Sequence, residues 1–175
     1  TLILLADENL IVPLLRNLPR NISKANITLG MPLKSSALRN WVEILFTIQE
    51  GKSRFKTEAL YYADLQRLLN HPFIIGCSSE SELNLAQQLE QSIVRFNRIF
   101  LKRDSLELGE TVNQIIALAT TNWNANWQQA IEIIRSLSRL LFSKLQDDHQ
   151  FEKALLEGFD KALVDFENII SEGIP

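Results

Sequence analysis

The sequence predicts an α/β protein, mostly helical, in which a small parallel sheet carries a large all-helical insertion. Three observations predict it. The chain opens on a continuous apolar run of strand length, TLILLA (1–6), closed by Asp7-Glu8-Asn9. It ends on LVDFENIISEGIP (163–175), which reads as an acidic turn, a buried strand over 166–170 and a Gly-Ile-Pro stop. Between them the apolar residues recur at the helical period rather than the strand period.

Each element has a local reason. Pro13 fits the first turn of a short helix running to about Leu18, because an interior proline would break it. Pro19 and Asn21 mark a turn, and Asn26-Ile27-Thr28-Leu29 reads as a second strand ended by Gly30 and Pro32. A β-α-β opening of this kind favours a parallel pair with the helix as crossover.

From Ser35 the period becomes helical. Leu38, Trp41, Val42, Leu45 and Ile48 form one stripe, followed by Gly51. Residues 58–70 form another, with Leu60, Tyr61, Leu65, Leu68 and Leu69, stopped by Pro72. Ser79-Glu80-Ser81-Glu82 has the spacing of a capping box, and Leu83, Leu85, Leu89, Ile93 and Phe96 continue that helix. Ile99-Phe100-Leu101 reads as a short extended link. Three further helices are expected over 111–119, 127–145 and 151–163. The expected organisation is therefore 1–34 as the first part of an α/β domain, 35–162 as the helical insertion, and 163–175 as the return strand. That strand is expected beside 2–5.

Composition sets bounds on function. The 175 residues are 46% hydrophobic and 22% charged, ordinary for a globular chain with a sizeable core. A net charge of −3 is unlike the basic balance of a free-standing nucleic-acid binder, although it leaves room for a local basic patch. The single cysteine, Cys77, has no internal disulfide partner, and no apolar run reaches membrane-spanning length. Together these suggest a cytoplasmic protein without a membrane partner. The absence of an initiating methionine before an immediate strand suggests a piece of a longer chain.

Residues that carry chemistry are scarce. His71 follows a helix, where the dipole favours a histidine, and His149 sits in an acidic turn with Asp147 and Asp148. Neither has a second ligand at metal spacing, so both read as structural or solvated. Asp147 and Asp148 read as helix N-caps before they read as a cation site. No glycine-rich run resembles a nucleotide-phosphate loop. A pairing of Cys77 with a histidine has no motif behind it. No residue is assigned to catalysis or to a metal.

Binding signals are stronger. Arg95, Arg98, Lys102 and Arg103 form the most basic stretch, although Asp104, Glu107 and Glu110 follow it. Trp123 and Trp127 among asparagines allow base stacking, but a spacing of four also suits two core residues at a helix start. Arg95, Arg98, Lys102, Arg103 and Trp123 are the candidate DNA contacts.

The two ends together carry a resemblance. TLILLADENLIVPLLRNL followed by NITLGMPL is similar to the start of the second motor domain of UvrD-like superfamily I DNA helicases. LVDFENIISEGIP resembles a later motif of the same helicases, built around Gly-Leu-Glu-Phe. Their order, and the helical block between them, resemble the AddB/RexB type of helicase–exonuclease subunit across essentially the whole chain. In active helicases an arginine closes the first strand; Ala6 stands there, and a methyl group cannot grip a phosphate. At the second motif Asp165 keeps the carboxylate type of its glutamate, one methylene shorter, and Phe166 is retained, whereas Leu163 replaces its glycine.

The resemblance implies a non-catalytic helicase-like segment of a DNA helicase–nuclease that acts in double-strand-break processing and recombinational repair. It implies ATP and Mg²⁺ as cofactors of the parent protein and none in this segment. It also implies DNA as a ligand through the parent, and a partner helicase–nuclease subunit. A helical protein–protein interaction module without a nucleic-acid role is the alternative.

Overall fold

The computed structural model describes residues 7, 10–19, 22 and 36–171. Both strands expected in the first 34 residues, and Ala6, lie outside this set. The chain divides into two units, 1–36 and 37–175. In the first unit, helix α1 spans Ile11–Arg16. Pro13 sits in its first turn, where no intrahelical N–H is required. Asn17 ends the helix and returns its side-chain amide to the Pro13 carbonyl at 2.7 Å.

The described residues of the second unit are helical apart from two short strands and the connecting turns. In order come α2 (Ala37–Phe55), β1 (Leu60–Tyr61), α3 (Tyr62–Leu69), α4 (Pro72–Cys77) and α5 (Glu80–Phe96). Then follow β2 (Phe100–Leu101), a 3₁₀ turn at Arg103–Ser105, α6 (Glu110–Ala119), α7 (Trp127–Lys144) and α8 (Gln150–Ser171). β1 and β2 are antiparallel, with Leu60 opposite Leu101 and Tyr61 opposite Phe100. The described structure is thus mostly helical, at 74% helix, with one small antiparallel sheet.

This corrects the expected return strand. Residues 166–170 are the last turns of α8, not a strand. Leu156, Phe159 and Leu163 already recur at helical spacing and pack toward the core, and no breaker follows before Gly173. Continuing the helix satisfies each new backbone N–H within the same segment, whereas a strand there would need a neighbour. Two smaller expectations also change. Tyr61 belongs to a strand rather than to a helix over 58–70, and Pro72 opens helix α4 instead of only ending α3.

The core explains the rest. Trp41, Ile44 and Leu45 from α2 meet Leu65 and Leu68 from α3, Phe73 and Ile74 from α4, Ile115 and Ile116 from α6, and Leu137 and Leu141 from α7. Each is essentially removed from water, a gain of about 1.5–3 kcal/mol per side chain before entropy is counted. α8 covers one side of α7. Arg135 on α7 locks that contact, with Nε 3.1 Å from Asp160 Oδ1 and Nη1 2.8 Å from Glu167 Oε2.

Gly51 lies inside α2, not beyond it. A side chain there would meet the buried carboxyl of Asp64 on α3 at 3.4 Å, an ordinary van der Waals contact.

Candidate functional site

Helix α2 ends in a cluster of cations. Lys52, Arg54 and Lys56 occupy its last turn and the residue just after it, where they complement the negative end of the helix dipole. Lys56 takes a left-handed conformation (φ 49°) that terminates the helix. β2 then brings Lys102 and Arg103 to the same end of the unit. Lys52, Lys102 and Arg103 line an open depression of about 340 Å³, together with Glu58, Asp104 and Thr120. A second depression of about 520 Å³ shares Lys52 and Glu58 and extends past Lys56 to Asn122 and Asn124.

The floor of this groove is built by the α6–α7 loop, which α2 holds in place. Lys52 Nζ donates to the Thr120 carbonyl and to Glu58 Oε2, the latter at 2.9 Å. Gln49 donates to the Thr121 carbonyl at 2.9 Å and accepts from the Trp123 N–H at 3.2 Å. The carbonyls of Thr120 and Thr121, at and just past the C-cap of α6, are therefore satisfied from a neighbouring helix. Asn126 caps the start of α7 by accepting from the Gln128 and Gln129 N–H groups. Glu58 is held below the usual carboxylate range chiefly by its hydrogen bond from Lys52.

The groove sorts the expected contacts. Lys102 and Arg103 line it and are exposed. Trp123 also borders it but is only 7% exposed, its ring edge-on to Phe46 at 5.0 Å, so it offers no face to a base. Trp127, the first residue of α7, is the exposed one at 57%. The pair therefore does not share one buried face. Arg95 sits in the last turn of α5 and Arg98 in the turn before β2, next to Phe96 rather than in the groove. Asp165 and Phe166 are exposed residues on α8.

Lys52 and Lys56 are not among the contacts expected from the sequence. Lys52 lies about 50 positions before Lys102, and only the β1–β2 pairing makes the two neighbours. A run of Lys52, Arg54 and Lys56 at a helix C-terminus was the available signal.

The reactive side chains are accounted for structurally. His71 is buried and caps α4: its Nδ1 accepts from the Phe73 N–H at 3.1 Å while Nε2 lies 3.0 Å from the Ala37 carbonyl. Only the neutral ring, protonated on Nε2, satisfies both contacts. This differs from the expected helix-dipole role, which would favour the charged form. Burial pushes the His71 imidazole down to about 4. Cys77 is buried and its thiol is pushed up to about 12 by desolvation, leaving almost no thiolate near neutrality. Asp147 pairs with Lys153 at 3.0 Å, and His149 lies 3.7–3.8 Å from Glu152 and Asp148. Among the described residues no three His, Cys, Asp or Glu side chains converge on a point where a metal ion could sit. No described helix is long and apolar enough to cross a membrane.

No protein-family model, curated protein sequence or solved structure matches this chain.

Proposed function

We propose that this chain is a non-catalytic, mostly helical segment of a DNA helicase–nuclease of the AddB type, and that it supplies backbone contacts to DNA. The observation that carries the DNA contact is the pair of adjoining depressions that share Lys52 and Glu58, one lined by Lys102 and Arg103 and the other by Lys56. Lys56 and Lys102 have no carboxylate within ion-pair distance among the described residues, and Arg103 has only the exposed Asp104 at 3.4 Å. Such an exposed pair is worth little and is readily exchanged for a phosphate. Glu58, Asp104 and the overall charge of −3 limit the affinity. The contact is weak, independent of base sequence and sensitive to salt. The helicase–nuclease parent rests on the terminal resemblances alone. In that parent, ATP and Mg²⁺ serve the motor and nuclease, and a second subunit completes the machine.

The test is fluorescence anisotropy of labelled oligothymidine and of a forked duplex, titrated with the whole chain at low and at physiological salt. Binding that weakens steeply with salt, and that Lys56→Glu with Lys102→Glu abolishes, is the expected result. Equal binding by that double variant, or none at low salt, overturns the reading and leaves the helical protein-interaction module in its place.

A further inference from the structure

The segment joining α5 to β2 forms a second surface, distinct from the groove. Val94 is 76% exposed, Phe96 60%, Ile99 50% and Phe100 42%. The chain reverses between them at Asn97, in the left-handed conformation (φ 48°), with the Arg98 N–H returning to the Ile93 carbonyl at 3.1 Å. Phe55, 42% exposed at the end of α2, meets Phe100 edge-on with centroids 5.2 Å apart. The run therefore fixes an apolar surface instead of leaving a loose loop.

Three guanidiniums accompany it. Arg95 and Arg98 lie 5.4 and 5.5 Å from the centroid of the Phe96 ring, and Arg54 lies 5.4 Å from that of Phe55. None of the three has a carboxylate within ion-pair distance among the described residues. Contiguous exposed apolar side chains mark an interaction site, and unneutralised arginines on it fix the sign of what arrives.

The geometry points to a docking site for a segment of a partner protein in which apolar side chains are flanked by Asp or Glu. The reading is independent of the groove and of any role in DNA contact. Nucleic acid fits this surface less well. The aliphatic Val94 and Ile99 gain nothing from bases or phosphates, and guanidiniums already lie against the rings of Phe96 and Phe55, which bases would need as platforms. A second copy of the chain fits no better, because a two-fold contact would set the same arginines against each other. An acidic, apolar segment satisfies both halves: its side chains cover Val94, Phe96 and Ile99 while its carboxylates take the arginines as bidentate partners.

A random-peptide display library selected on the whole chain tests this, with the best peptide then synthesised and measured by anisotropy. Enriched peptides are expected to place Asp or Glu beside Leu, Phe or Trp. Arg95→Glu with Arg98→Glu should weaken that peptide at least about tenfold. Val94→Ser with Phe96→Ser should do the same, while Lys56→Ala leaves it unchanged. Thermal unfolding of both double variants should match the parent, since these side chains are exposed. No enrichment, enrichment of peptides without acids, or binding unaffected by either double variant overturns the proposal. Loss of oligothymidine binding in the patch variants, with no peptide selected, would assign the surface to nucleic acid instead.

Discussion

Glu82 and Gly109 are fitted to each other. A side chain on Gly109 would fall inside van der Waals contact of Glu82 Cγ and 2.8 Å from its Oε1. Gly109 also holds φ +92° and ψ 169°, a region that residues with a Cβ avoid. The fit lets one carboxylate serve two helices. Glu82 Oε2 accepts from the Ser79 N–H at 2.9 Å at the start of α5, while Oε1 accepts from the Thr111 N–H at 2.9 Å at the start of α6. Gly109→Ala is therefore expected to cost about 2–3 kcal/mol in urea unfolding. Gly158→Ala is the internal control. It lies inside α8 with nothing near its would-be Cβ, and should gain about 0.5–1 kcal/mol.

Glu82 also predicts an acid response. Burial raises its pKa, but the hydrogen bonds from Ser79, Val112 and Thr111 outweigh that and hold it below the usual range. A depressed carboxylate stabilises the fold above its unfolded pKa, and that stabilisation disappears as pH falls through the folded value. Glu82→Gln keeps the shape but loses the charge, at a cost of about 1–2 kcal/mol at neutral pH. Chemical denaturation from neutral pH down to below 4 should show the variant and the parent converging only at the acid end.

His71 acts at higher pH. Its folded value of about 4 lies below the ordinary 6.5, so the unfolded chain binds the extra proton between them. Stability is full above 6.5, falls as pH drops below it, and stops falling on this account near 4. The loss is about 3 kcal/mol at most, from 1.36 kcal/mol per unit. His71→Asn can keep the cap to Phe73 but has no titrating ring. Its stability should be lower at neutral pH by about 1–2 kcal/mol and nearly flat over that window. A variant as pH-sensitive as the parent would show that another group controls the transition.

Lys52 and Lys56 separate structure from binding. Lys52→Met removes the cap on the Thr120 carbonyl and should destabilise by about 1–2 kcal/mol in thermal or urea unfolding. Lys56→Ala should leave stability within about 0.5 kcal/mol, since the exposed side chain bears on the fold mainly at the end of α2. On single strands it should lower the slope of log affinity against log salt by about 0.7, one phosphate contact.

Cys77 should resist modification. With its Sγ 3.6 Å from the Leu141 carbonyl and its thiol held protonated, the native protein should react with a thiol reagent only as fast as it unfolds. Rapid labelling of folded protein would mean that α4 opens locally.

The local pattern of the chain determined the helices. The stripe Leu38, Trp41, Leu45 and Ile48 specifies α2, and Ser79 to Glu82 specify the start of α5, because helical periodicity and capping depend on residues within a turn of one another. What lay beyond one turn was decided by packing. The second carboxylate oxygen of Glu82 finds α6 only after the chain has travelled 29 residues. Lys52 joins Lys102 around one depression only through the pairing of β1 with β2, and His71 becomes a neutral cap only when Ala37 and Trp41 close over it. The end of the chain shows the same division. Phe166 and Ile169 carry apolar character that suits either a strand or a helix, and the choice falls to the helix because it completes its own hydrogen bonds while leaning on α7.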